Sequence, residues 1–169
     1  MANTYTLIEG KTLGSNTASV TFTSIPQTYT DLLVKISTRQ TTAAVYGIVK
    51  LNVNSTSTNQ TYRAIFGDGS SATSNNSSII YVGPGVGANA TANTFTNMEL
   101  YLPNYTSTSI YKSISIDGAG ENNATEAYLN LTAGLKSENT AITSLQFICD
   151  GSDNYVTNST FYLYGISNS

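Results

Sequence analysis

A chain of 169 residues, 40% hydrophobic and only 10% charged, with a net charge of −3, suits one domain over residues 1–169 that buries roughly 70% of its unfolded-chain surface. Seven Lys and Arg cannot build a broad phosphate-neutralising surface, so the signature of a nucleic-acid partner is missing. The absence of histidine removes the commonest general base, the Ser–His and Cys–His pairs, and every imidazole metal site.

Alternation at period two, not helical periodicity, runs along the chain. A first strand is expected near Tyr5 to Ile8, then Val20 and Phe22, then Leu32, Val34 and Ile36. Val45, Gly47, Val49, Leu51 and Val53 make the next set, followed by Tyr62, Ala64 and Phe66, and by Ile80 and Val82 in a short apolar run. Met98, Leu100 and Leu102 alternate, as do Ile110, Ile114 and Ile116, where Lys112 interrupts the face. Ala127, Leu129, Leu131 and Ala133 are read as one inward set, preferred over a helical turn across 121–128. Leu145, Phe147 and Cys149 follow, and Phe161 and Leu163 close the chain. That makes about ten or eleven strands.

The positions between are Thr, Ser, Asn and Tyr, which suit a pleated face turned to water. Asp68-Gly69, Asp117-Gly118 and Asp150-Gly151 supply the φ > 0 turns that join antiparallel strands. Pro26, Pro84 and Pro103 are placed at strand ends, where a missing N–H costs no ladder bond. Segments 67–78 and 83–93 read as long loops, suited to contact. No fixed-period repeat is present, which argues against propellers and β-helices. The expected fold is all-β: an antiparallel two-sheet β-sandwich of jelly-roll or Greek-key type. An up-and-down barrel would need shorter and more uniform turns.

Residues 1–10 lack the basic-then-apolar pattern of a secretory signal. Apolar runs such as 43–46 fall far below the roughly 18 residues of a membrane helix, so no membrane partner is expected. Sequons such as those at Asn54, Asn104 and Asn130 follow from a composition holding 65 Ser, Thr and Asn residues. Cys149 has no partner for a disulfide and sits in an apolar alternating run, as a buried small hydrophobe does; a reactive thiol needs a cationic or histidine neighbour.

Glu99, Glu121 and Glu126 lie nearest regular structure among ten carboxylates, but no stretch groups acids with aromatic platforms as a sugar-cleaving cleft does. The loop oxygens of Asp150, Asp153 and Asn154, and of Asp117, Glu121 and Asn122, are explained by hairpin turns rather than calcium. No enzyme activity, catalytic residue, metal or cofactor is expected. The aromatic supply is twelve tyrosines and five phenylalanines. By the alternation, Tyr101, Tyr105, Tyr111, Tyr128 and Tyr162 point outward, where Tyr serves sugars or protein interfaces. Ordinary domains carry about 25% charged residues. A surface of Thr, Ser, Asn and Tyr costs less to desolvate than one of Lys and Glu, so much of this surface is expected to become contact area in an assembly.

Several strings resemble a group of small virion structural proteins of tailed bacteriophages. They are Phe22-Thr-Ser-Ile-Pro26 with Tyr29-Thr-Asp-Leu32, and Tyr62-Arg63 with Phe66-Gly-Asp-Gly-Ser70. Others are Asn89-Ala-Thr-Ala-Asn-Thr94, Glu121-Asn-Asn-Ala-Thr125 and Phe161-Tyr-Leu-Tyr-Gly-Ile166, so the similarity spans nearly the whole chain. The resemblance implies a non-catalytic β-sandwich displayed on the virion, on the capsid exterior or the tail; within it the favoured reading is a capsid decoration or cement protein, a homotrimer on the capsid exterior that bridges major capsid subunits. Its partners would be the major capsid protein and itself, through segments 67–78 and 83–93. Arg39, Lys50, Arg63, Asp68 and Tyr105 are the candidate contact residues. The alternative is a tail-fibre or spike module that binds host-surface glycans through exposed Tyr and Asn.

Overall fold

β-branched and aromatic residues at alternate positions favour extended chain. The computed structural model, which describes residues 4–121 and 127–167, contains twelve strands. They are β1 (Tyr5–Thr12), β2 (Ser19–Phe22), β3 (Asp31–Thr38), β4 (Tyr46–Val53), β5 (Gln60–Gly67) and β6 (Ala72–Ser77), followed by β7 (Ile80–Val86), β8 (Thr96–Leu102), β9 (Lys112–Gly120), β10 (Tyr128–Lys136), β11 (Leu145–Cys149) and β12 (Thr160–Ile166). Among the described residues there is no helix. The strands form two antiparallel sheets: a wide one ordered β1-β12-β3-β8-β9-β10-β5-β6 and a narrow one ordered β2-β11-β4-β7. Eight of the eleven connections carry the chain from one sheet to the other, so the core is assembled from residues far apart in sequence.

That core lies between the sheets. Phe147 of β11 meets Phe22 of β2 edge-on, with ring centroids 6.3 Å apart, and faces Phe161 of β12 at 5.7 Å. Leu32, Val34, Leu100, Ile114 and Ile116 from the wide sheet pack against Val49, Leu51, Ile80 and Val82 from the narrow one. Cys149 is buried among them, as its alternating run implies.

β10 reverses the expected orientation. Leu129, Leu131 and Leu135 are 65%, 59% and 37% exposed, whereas Asn130, Thr132 and Lys136 are buried. The reason is what the inner side of β10 faces. It crosses β7, an edge strand of the narrow sheet, whose unpaired backbone groups need partners once buried. Asn130 Nδ2 donates to the Val82 carbonyl at 3.1 Å, and the Val86 N–H donates to Thr96 Oγ1 at 2.7 Å. Gln60 serves β4 in the same way, donating to the Leu51 carbonyl at 2.8 Å and accepting the Val53 N–H at 3.3 Å. Room for Asn130 comes from Gly118 and Gly83: a Cβ at these positions would lie 2.3 Å and 2.9 Å from its Oδ1. A leucine facing inward at position 130 would leave the Val82 carbonyl unpaired, a cost of about 1–3 kcal/mol.

Lys112 and Lys136 are buried at strand ends for a related reason. Lys112 Nζ donates to the carbonyls of Ser107 and Ile110 at 2.6 and 2.8 Å. Lys136 Nζ donates to the Thr58 carbonyl at 2.7 Å and pairs with Glu138 at 3.1 Å. Lys112 therefore belongs to the inner face it was expected to interrupt, and Ile110 is the exposed residue.

Other expectations are corrected. Segment 67–78 is not a long loop but a tight turn followed by β6, a strand of Ala, Thr, Ser and Asn with no apolar alternation to betray it. Segment 83–93 begins inside β7, and only the residues after Val86 form a loop. Pro84 sits within β7 rather than at a strand end, tolerated because β7 is an edge. Asp117-Gly118 lies mid-strand in β9, while Gly69 and Gly151 take positive φ in turns as anticipated. The sequence string at 122–125 and Glu126 fall outside the described residues.

The free edges differ in kind. β1 carries an irregularity between Leu7 and Glu9 and the charged pair Glu9–Lys11, β2 is four residues long, and β7 is covered. Bulges, charges, shortness and cover are the usual devices against unwanted strand pairing. β6 has none of them: it is exposed throughout, uncharged and free of proline.

Candidate binding surfaces

β4 presents Tyr46, Ile48 and Lys50 on the outer face of the narrow sheet, beside Tyr81 of β7. The β5–β6 hairpin rises past β7 and brings Tyr62, Phe66, Thr73 and Asn75 to one side. The turn after β11 brings Asp150, Gly151 and Asp153 to the other. Between them lie three adjoining hollows of about 460, 400 and 320 Å³ that all share Ile48 and so form one trough. Its aromatic lining comes in two groups. Tyr46 and Tyr128 are 4.3 Å apart between ring centroids, Tyr62 and Tyr81 5.8 Å, and Phe66 meets Tyr81 edge-on at 5.1 Å. Burial raises the phenols of Tyr62 and Tyr81 above the ordinary range.

The candidate contact residues are dispersed. Lys50 lines the trough and pairs with Asp150 at 2.5 Å. Asp68 sits at the tip of the β5–β6 hairpin, where the amides and hydroxyls of Ser70 and Ser71 hold its carboxyl well below the usual range. Arg63 lies elsewhere, exposed on the outer face of the wide sheet, with Nη1 donating to the Tyr62 carbonyl at 2.8 Å. Arg39 is an internal clip: its guanidinium donates to the carbonyls of Thr91, Thr94, Ala88 and Ala90 and shapes the loop after β7.

Tyr105 does not point outward. It is fully buried, and its hydroxyl donates to the Pro26 carbonyl. Asn104, at φ 50°, breaks the alternation carried over from β8 and turns the ring into the core. Tyr101 and Tyr111 are exposed as expected, and Tyr162 is half-buried. Tyr128 turns with the reversed β10 toward Tyr46 instead of outward. Sequence reading did not single out Tyr46, Tyr81 or Asn75, which carry no motif and meet only through the two sheets.

The second surface is the outer face of the wide sheet. Register places Leu131 of β10 beside Ile65 of β5 and Leu129 beside Gly67, so Leu129, Leu131 and Ile65 form an exposed apolar stripe. Beyond β9, Tyr5, Leu33, Tyr101 and Tyr164 cluster around the Lys35–Glu99 pair, whose charged atoms are 2.8 Å apart.

The titrating groups predict a broad pH plateau. Lys50 and the Gly151 amide hold the Asp150 carboxyl below its usual range, so its contribution is present above about pH 4 and fades as pH falls. Burial pushes the Cys149 thiol up to about 12 and raises Tyr81 and Tyr155. These groups fold neutral, so their contribution is full below about pH 9 and fades as pH rises. With no imidazole, melting temperatures are expected to stay level from about pH 6 to 8 and to fall in alkali together with delayed tyrosinate absorbance. A steep change between pH 6 and 8 would contradict this assignment.

Comparison with known protein families, curated proteins and solved structures returns no match.

Proposed function

We propose that this chain is a virion structural protein of a tailed bacteriophage, a two-sheet sandwich of jelly-roll or Greek-key type that works by adhesion and not by catalysis. In this reading it decorates the capsid exterior as a homotrimer and bridges major capsid subunits as a cement. The observation that carries the reading is the stripe of Leu129, Leu131 and Ile65, exposed on the outer face of the wide sheet. Exposed apolar patches of this kind mark contact sites, and this one lies on a chain whose surface is cheap to desolvate.

The dimensions suit the role. Eight strands about 4.8 Å apart and about 27 Å long give an outer face of roughly 900 Å², against about 800 Å² per partner in a standard stable interface. Self-contact has its own edge in β6, which lacks the protection of β1, β2 and β7. The sandwich type is supported by the winding, in which most connections alternate between sheets, and the virion role by the resemblance of the sequence strings to those of small phage structural proteins.

Electron images of the intact particle that encodes this chain provide the test. Threefold clusters on the head exterior, seated on the wide-sheet face, are the expected result. Absence from purified particles, or a position on the tail alone, overturns the cement role.

A further inference from the structure

We infer that the trough over Ile48 is a binding site for an uncharged oligosaccharide. The site goes beyond the capsid role and does not depend on it, since it is lined by the narrow sheet and the β5–β6 hairpin while the apolar stripe lies on the outer face of the wide sheet.

Three features of the lining select the ligand. Tyr46 and Tyr128, with ring centroids 4.3 Å apart, supply accessible ring surface with hydroxyl tips above a floor of Phe66 and the buried Tyr62 and Tyr81, which matches the C–H face and hydroxyl rim of a pyranose. Thr73 and Asn75 face them from β6 with neutral donors and acceptors. The charges are Asp68, Asp150 and Asp153 against Lys50, which is already paired with Asp150. This acidic balance disfavours sialylated, sulfated or uronic-acid glycans.

Other ligand classes fit less well. An extended peptide that adds a strand would pair with the free edge of β6 and leave the floor uncovered, because the floor is made of strand faces, Tyr46 and Ile48 of β4 with Tyr81 of β7. A purely apolar ligand would leave the polar side of the trough unpaired. The length of the trough, three joined hollows, suits more than one sugar ring. Glycan recognition through tyrosine and asparagine, the alternative raised by the sequence, thus acquires a location where Tyr128 alone is among the tyrosines expected to point outward.

The test applies purified full-length protein to an array of immobilised neutral hexose and N-acetylhexosamine oligosaccharides beside sialylated and sulfated ones. Hits are titrated in solution by tyrosine fluorescence, which no tryptophan obscures. Retention of neutral glycans, weakened about tenfold by Tyr46→Ala and by Asn75→Ala but unchanged by Tyr111→Ala, is expected. Tyr46 is 37% exposed and Asn75 is exposed, so both variants should fold, and unchanged melting temperatures check this. No retention of any glycan, retention of acidic glycans alone, or equal binding by Tyr46→Ala overturns the inference. Because Tyr46→Ala leaves both the wide-sheet face and the β6 edge untouched, particle attachment of that variant reports separately on the capsid role.

Discussion

Replacing Tyr105 by alanine is expected to lower the melting temperature by about 10 °C. Truncating a large buried aromatic costs about 3–5 kcal/mol, and each kcal/mol moves the melting point of a chain of this size by about 2–4 °C. Tyr105 is fully buried in the main core and its hydroxyl donates to the Pro26 carbonyl. Its own carbonyl accepts the Ile142 N–H at 2.9 Å, and the turn before it is held by Asp31, which accepts the Asn104 N–H at 2.8 Å. Loss of the ring therefore loosens three segments together. Tyr105→Phe keeps the ring and removes one hydrogen bond, an expected loss of about 1 kcal/mol. Thermal melts of both variants decide the matter. If Tyr105→Ala melts like the parent chain, the ring is not in the core and an outward role returns.

The paired substitution Leu129→Ser with Leu131→Ser is expected to do the opposite: leave the fold intact and strip the protein from its particle. Both side chains are more than half exposed, and exposed substitutions usually change stability by no more than about 0.5 kcal/mol. In an interface, by contrast, each leucine would lose about 1.5 kcal/mol of apolar burial, so the pair should weaken attachment roughly a hundredfold. The measurement is particle occupancy after incubation with purified protein, alongside melting temperature. A fall in occupancy at unchanged stability is the signature of a contact surface. Unchanged occupancy removes the stripe from the attachment face, and a collapse in stability would show that the leucines serve the fold.

These two outcomes reverse what alternation alone suggests for the same residues. Tyr105 was expected outside and is inside; Leu129 and Leu131 were expected inside and are outside. Both errors come from treating period two as if it carried a sign. Alternation separates two faces of a strand, but a turn such as the one at Asn104, or a neighbour such as the edge of β7, decides which face is buried. At β10 the hydrophobic rule yields because the inner neighbour, though apolar in its side chains, is an edge strand whose Val82 carbonyl lacks a ladder partner, and Asn130 is the residue that serves it.

What the amino-acid order settled by itself is the local chemistry. The β-branched and aromatic alternation made eleven of the twelve strands legible, Asp-Gly marked the turns at Gly69 and Gly151, and the run Leu145, Phe147, Cys149 marked a buried thiol. Each of these depends on residues within a few positions of one another. The tertiary structure alone decided the rest. β6 is a strand because β5 pairs with it, not because Ala, Thr, Ser and Asn prefer to be one. The trough joins Tyr46, Tyr62, Tyr81 and Tyr128, and the stripe joins Ile65 to Leu131. Such surfaces arise where strands distant in the chain are hydrogen-bonded or packed across two sheets, and no short-range pattern encodes which distant strands will meet.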